Sequence, residues 1–333
     1  MQSKRGKLRI EKSTNCSGKI KKSIQIPLLI EDNYLVKKID LDGDAPKQFI
    51  RAYFYSSDTK IRKSSSKSWL PYIAKTAEKW YPHESIIEYM INRIGQELGV
   101  HMNDIKLVRA NKQIRFLSKF FLNEQERLIH GAEICGEHLG DMTFAEQIAN
   151  HKPSSRELFT FEFIISSIRS VFPQCFENLI VELVKMLSFD AIAGNNDRHF
   201  YNWGVIDTKK KSSKLPTFAP IYDSARGLLW NYSDENIKKI YKSGNKKILA
   251  YIEEASPRIS IESNTQANHF QLIKFVKKYN SEYEEIINNI SCIENEERVI
   301  RMLRNEFYQF FIPERCELIT SILKTRFSRI REI

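Results

Sequence analysis

The chain has 333 residues, 42% of them hydrophobic and 28% charged, with a net charge of +11. This is a globular composition, long enough for a sizeable core, and it excludes a disordered chain. No apolar run reaches the ~18 residues of a membrane span, and the opening MQSKRGKLRIEKS lacks the apolar stretch of a leader, so a cytoplasmic protein without a transmembrane segment is expected. Cys16, Cys135, Cys175, Cys292 and Cys316 are odd in number and scattered, pointing neither to a disulfide framework nor to a metal knuckle. The basic runs at residues 4–12, 60–68, 209–214 and 242–247 lie apart and read mainly as solvated loops, with attraction of phosphate or an acidic partner as the lesser reading. No direct DNA binding is expected.

In chain order, SIQIPLLI, NYLVKKI, QFIRAYFY and SWLPYIAK alternate as half-buried strands do. From Glu84, the sequence ESIIEYMINRIGQELG sets Ile87, Met90, Ile91, Ile94 and Leu98 at helical steps, with Gly99 as its cap. IKLVR and QIRFLSKFF flank the turn ANK and read as a hairpin. Beyond about residue 140 the period turns helical: RELFTFEFIISSIRSVF and CFENLIVELVKMLSFDAIAG read as long apolar helices interrupted at Pro173, and amphipathic helices follow from about Asp234. Two short β-like pieces, WGVI and TFAPIYD, bracket a basic turn. A β-rich first portion with one helix, residues 1–122, joined to a mostly helical portion, residues 123–333, is an α+β layout of the kind used by two-lobed, nucleotide-dependent phosphotransferases.

The densest polar segment is GNNDRHFYNWGVI, residues 194–206. Asp197 and Asn202 stand as D-x-x-x-x-N, the spacing at which a kinase loop places a carboxylate beside an attacking hydroxyl and an amide on a metal ion. Asp190 and Asn195 have the same spacing, but Asp190 lies in an apolar helical run and is expected to brace the loop. Arg198 and His199 can orient carboxylates or neutralise phosphate charge. Asp223 follows an apolar β-like stretch 26 residues after Asp197, placed to chelate Mg2+ across ATP phosphates.

The other half of the site is expected in the first lobe. Lys75 at a strand end would grip the ATP phosphates and Glu88, 13 residues later, would hold it, with Lys37 and Glu84 as substitutes. RKSSSKSW stands where a phosphate-covering loop is expected, so Ser64, Ser65 and Ser66 are candidates for backbone phosphate contacts and for self-phosphorylation. Phe116 and Leu117, in RFLSKFF, would sandwich the adenine.

On YIAK, HESIIEYMINRIGQELG, FDAIAGNNDRHFYNWGVI and PIYDSARGL, the chain resembles the HipA-like serine/threonine kinases, the toxins of bacterial toxin–antitoxin systems and their relatives. The resemblance implies a bilobal protein-kinase-like fold, ATP with Mg2+, and transfer to serine or threonine. It makes Asp197 the base, Asn202 and Asp223 the metal ligands, and Lys75 the phosphate anchor. It also implies a protein substrate, with aminoacyl-tRNA synthetases as the family's frequent target, an antitoxin partner, and, for some relatives, secretion as an effector. DRHFYN is similar as well to the D-R-H-x-x-N of phosphatidylinositol kinases, which makes a lipid hydroxyl the alternative acceptor. A reading from another class is a pseudokinase or basic nucleic-acid-binding module that performs no transfer.

Overall fold

The computed structural model describes residues 6–39, 47–210 and 213–333. Its first part comprises β1 (Asn15–Cys16), β2 (Tyr34–Lys37), β3 (Lys47–Ala52), β4 (Leu70–Lys75), β5 (Trp80–Tyr81), α1 (His83–Glu97), β6 (Ile105–Ala110) and β7 (Gln113–Lys119). One antiparallel sheet has the order β2-β3-β4-β7-β6, and β1 pairs in parallel with β5 beside it. Because side chains alternate along a strand, Ile50, Tyr72, Ala74, Val108 and Leu117 gather on one face around Leu8. The opposite face carries Phe49, Ile73, Lys75 and Phe116, with Phe49 opposite Ile73 and Lys75 opposite Phe116 in the strand register. The β6–β7 turn is the expected hairpin, since Asn111 and Lys112 both take positive φ, 42° and 65°, as a two-residue turn between twisted strands requires.

The helix expected from Glu84 is α1, and Ile87, Met90, Ile91 and Ile94 are fully buried. At about 1.5–3 kcal/mol for each buried aliphatic side chain, this face fixes the helix firmly. Gly99 follows its end at φ 71°, the left-handed turn that suits a residue without Cβ. On its other side α1 meets the end of the chain: Arg93 pairs with Glu306 at 2.9 Å and Tyr89 lies against Phe307.

The second part runs through β8 (Glu126–His130), α2 (Gly131–Leu139), α3 (Met142–Asn150), α4 (Lys152–Leu158), α5 (Phe161–Val171), α6 (Phe176–Ala193), β9 (Gly204–Thr208) and β10 (Thr217–Phe218). It continues with α7 (Asp234–Lys242), α8 (Asn245–Glu254), α9 (His269–Tyr279), α10 (Ser281–Ile290), α11 (Ile293–Glu306) and α12 (Pro313–Glu332). Strands β8, β9 and β10 form a separate sheet in the order β10-β9-β8. The apolar sides of α1, α6, α9 and α12 share one core, and the strands of the first part followed by these helices make the expected α+β fold. Among the described residues no helix is long and apolar enough to cross a membrane.

Two expectations are corrected. The segment at residues 23–30 is not a regular strand: Ser23–Gln25 is a 3-10 turn, and Pro27, which lacks an N–H, leaves a single bridge from Leu28 to Arg109. RELFTFEFIISSIRSVF is two helices, because the Thr160 hydroxyl caps α5 at Phe163 N and the backbone there pairs with Ser260.

Candidate active site

Lys75 ends β4 in the middle of the sheet, and its Nζ lies 3.1 Å from Glu88 Oε1 and 2.7 Å from Asp223 Oδ1. Three residues separated by 13 and 148 positions thus meet at one ammonium. Burial disfavours the lysine's charge, but Asp223 and Glu88 outweigh it and raise the Lys75 pKa. Burial pushes the Glu88 carboxyl up, against the pull of Lys75. It opposes ionisation of Asp223 too, yet Lys75, Lys47 and His199 hold that carboxyl down at about 2. Asp223 still keeps 40% of its side-chain surface open, so a cation can reach it.

Asp223 takes φ 54°, a left-handed conformation that costs an ordinary residue roughly 1–3 kcal/mol. Its neighbours supply the restraint. Arg198 donates from Nη1 to Tyr222 O at 2.6 Å and from Nη2 to Ser224 Oγ at 2.6 Å, gripping the chain on both sides of Asp223. The same guanidinium forks onto Asp190, Nε to Oδ2 and Nη2 to Oδ1, both at 2.9 Å, and donates to Asn202 O at 3.0 Å. Burial opposes the charge of Arg198, but Asp190 raises its pKa. Gly227 lets this segment lie on the end of α6, since a Cβ there would stand 2.4 Å from Ala193 O.

The polar loop follows Gly194, which ends α6 at φ 65°. Asp190 also accepts from Asn195 Nδ2 at 2.8 Å, the bracing role expected of it. Asn202 donates from Nδ2 to Asp197 O at 3.0 Å, which leaves its Oδ1 as the atom type a hard cation takes. His199 senses both acidic groups: burial lowers its pKa, and the charges of Asp197 and Asp223 act in the other direction. The Asp197 carboxylate lies 2.8 Å from Arg226 Nε and 3.0 Å from Arg258 Nη2.

Other expected residues lie elsewhere or act differently. Ser64, Ser65 and Ser66 sit in the β3–β4 connection, which joins Ala52 to Leu70 in the register, while Lys75 is opposite Lys47 at the other end of the strand. Five residue steps at about 3.3 Å each separate the loop from Lys75, so it does not cover the site. Ser65 N and Ser68 N are moreover spent on Arg62 O and Ser65 O. The connection at the Lys75 end is that between β2 and β3, and residues 40–46 lie outside the described residues.

Leu117 faces the outer cluster with Leu8 and cannot sandwich a base. Phe116 faces inward, with Lys75 Nζ 5.9 Å from its ring; the half-buried Phe49, Ile73 and Phe120 share that side, Phe49 and Phe120 packed edge to face. Arg198 is 1% exposed and committed to protein groups, among them the Asp190 carboxylate, so phosphate neutralisation is not open to it. Lys37 is exposed on an edge strand and Glu84 Oε2 accepts from Lys79 N and Trp80 N, which leaves Lys75 and Glu88 as the pair. Sequence reasoning missed Lys47, Arg226 and Arg258; a hairpin register would have found only the first.

A family model of the HipA-like C-terminal domain matches residues 39–252. Comparison with curated proteins finds no match. Among solved structures, the chain is similar to the Helicobacter pylori proinflammatory kinase CtkA, with a TM-score of 0.62 and 16% identity over 79% of this chain and 88% of that one. It is also similar to a chain of the Shewanella oneidensis MR-1 complex of HipA, HipB and operator DNA, with a TM-score of 0.48 and 12% identity over 89% of this chain and 66% of that one. The likeness to CtkA shows the kinase-like fold. Because the matched segment spans more than half of the sequence and contains Lys75, Glu88, Asp197, Asn202 and Asp223, the chain belongs to the HipA-like C-terminal domain family.

Proposed function

We propose that the protein is an ATP- and Mg2+-dependent kinase that phosphorylates serine or threonine in a protein. The observation that carries this reading is Lys75 bonded at once to Glu88, on α1, and to Asp223, 148 positions later in the chain. Among the described residues no cluster of three His, Cys, Asp or Glu side chains could hold a metal. One carboxylate and one amide nevertheless suit Mg2+, which keeps few protein ligands and completes its shell with phosphates and water. Asp223 and Asn202 would hold it, and it would supply charge neutralisation to the β- and γ-phosphates. Lys75, steered by Glu88, binds phosphate oxygens, and Lys47 stands beside it in the register. Phe49, Ile73, Phe116 and Phe120 form the apolar side against which a base can pack. Asp197 takes the proton of the acceptor hydroxyl as that oxygen bonds to the γ-phosphorus and ADP leaves. In this reading residues 1–122 form the nucleotide lobe and residues 123–333 carry the loop and the acceptor side. Family membership extends the proposal to an antitoxin partner and a substrate such as an aminoacyl-tRNA synthetase.

The test is label transfer from γ-labelled ATP to proteins of a whole-cell extract, wild type against Asp197→Ala. Loss of a general base lowers the rate by about 10² to 10⁴, with folding unchanged. Equal labelling by the two proteins would refute the assignment.

A further inference from the structure

Asp197 stands among cations. Its Oδ2 is taken by Arg226 Nε and its Oδ1 by Arg258 Nη2. Lys152 donates from Nζ to Ser256 Oγ at 3.3 Å and adds to the positive field there: burial and then Arg258 lower its pKa, while Asp197 raises it. Arg156, nearby, is committed to the backbone oxygens of Thr265, Pro257 and Ala267. Arg258 is not so satisfied, since among the described residues its buried Nε has no hydrogen-bond partner, a costly condition for a charged donor. Arg226 keeps 35% and Arg258 20% of its side-chain surface exposed, and Arg226 rests on the Trp230 ring at 5.1 Å, which presents its guanidinium rather than burying it.

A carboxylate that is to take a hydroxyl proton needs a lone pair turned toward that hydroxyl, and each Asp197 oxygen already has one of its two lone pairs on a guanidinium that fixes how the group points. An acceptor bringing its own carboxylate resolves this. It replaces Asp197 on Arg226 and Arg258, offers Arg258 Nε a partner, and leaves Asp197 to the hydroxyl. We propose that the acceptor is a serine or threonine flanked by acidic side chains in a peptide segment, and that Arg226 and Arg258 are the residues that read it. A peptide is favoured because the group these arginines already hold is a side-chain carboxylate, the planar two-oxygen partner that guanidinium groups match best. The inference rests on the phosphotransfer reading for its chemistry but not for its binding.

The experiment uses the full chain and fluorescein-labelled serine peptides flanked by three glutamates, three glutamines or three lysines. Binding is read without nucleotide by anisotropy, and transfer is then read with Mg2+ and ATP. The glutamate peptide binds at least ten times more tightly than the glutamine peptide, and Arg258→Glu moves the preference to the lysine peptide, a reversal that a merely structural role would not produce. If Arg258→Glu fails to fold, Arg258→Gln must erase the preference. Equal affinities, a preference that survives either variant, or tighter binding of phosphoinositide vesicles than of the glutamate peptide would overturn the proposal. The predicted binding with no transfer to any peptide would uphold the peptide site and overturn the kinase reading instead.

Discussion

Arg198 offers the sharpest test of how the site is held. Substitution by methionine keeps much of the length but removes the fork to Asp190 and the bonds to Asn202 O, Tyr222 O and Ser224 Oγ. Asp190, 2% exposed, is left a buried carboxylate with Asn195 as its remaining side-chain donor among the described residues. Breaking a buried pair in this way costs about 3–5 kcal/mol. With an unfolding entropy of about 2.1 cal/mol/K per residue, a cooperative chain of this length loses about 1.4 °C per kcal/mol, so the midpoint falls by about 4–7 °C. The double variant Asp190→Leu/Arg198→Met removes the stranded charge and recovers roughly 2 kcal/mol or more relative to additivity. Differential scanning calorimetry measures both effects. A loss below about 1 kcal/mol in the single variant, or additive losses in the double, would refute the claim that this pair anchors the loop to the strained Asp223 segment.

His83 makes stability depend on pH. Burial and the charge of Arg315 lower its pKa from 6.5 to about 3. The unfolded chain therefore binds the proton more readily, the contribution is intact above about 6.5, and it is lost as pH falls toward 3. At pH 5 the loss is on the order of 2 kcal/mol, and a urea titration series should show His83→Asn flattening it; an equally steep profile in the variant would reject the assignment. Lys75→Met should remove measurable label transfer while Lys37→Ala leaves it within a factor of two, and the reverse order would move the phosphate anchor to the edge strand. The triple variant Ser64→Ala/Ser65→Ala/Ser66→Ala should leave ATP affinity unchanged by fluorescence titration, because that turn lies at the far end of β4; a tenfold loss would place it back over the nucleotide.

Much of the site was legible because its parts are local. Lys75 and Glu88 belong to one strand-helix unit, and Asp190, Asn195, Asp197 and Asn202 fall within thirteen consecutive residues at a helix end. What depended on parity or on distant convergence was not. Leu117 differs from Phe116 by one position, and in a strand one position is the other face. The serine turn was misplaced because strand order, which decides the end at which a connection lies, has no signature in a single sequence. Arg258 reaches Asp197 from 61 residues away, through packing that no periodicity announces.

Titration calorimetry of ATP with the wild type and Asp223→Asn, each with and without Mg2+, addresses the site at its centre. The wild type should bind ATP in a Mg2+-dependent manner, and Asp223→Asn should weaken that binding at least tenfold, equivalent to about 1.4 kcal/mol. Affinity that is unchanged in Asp223→Asn, or indifferent to Mg2+ in the wild type, would contradict the account.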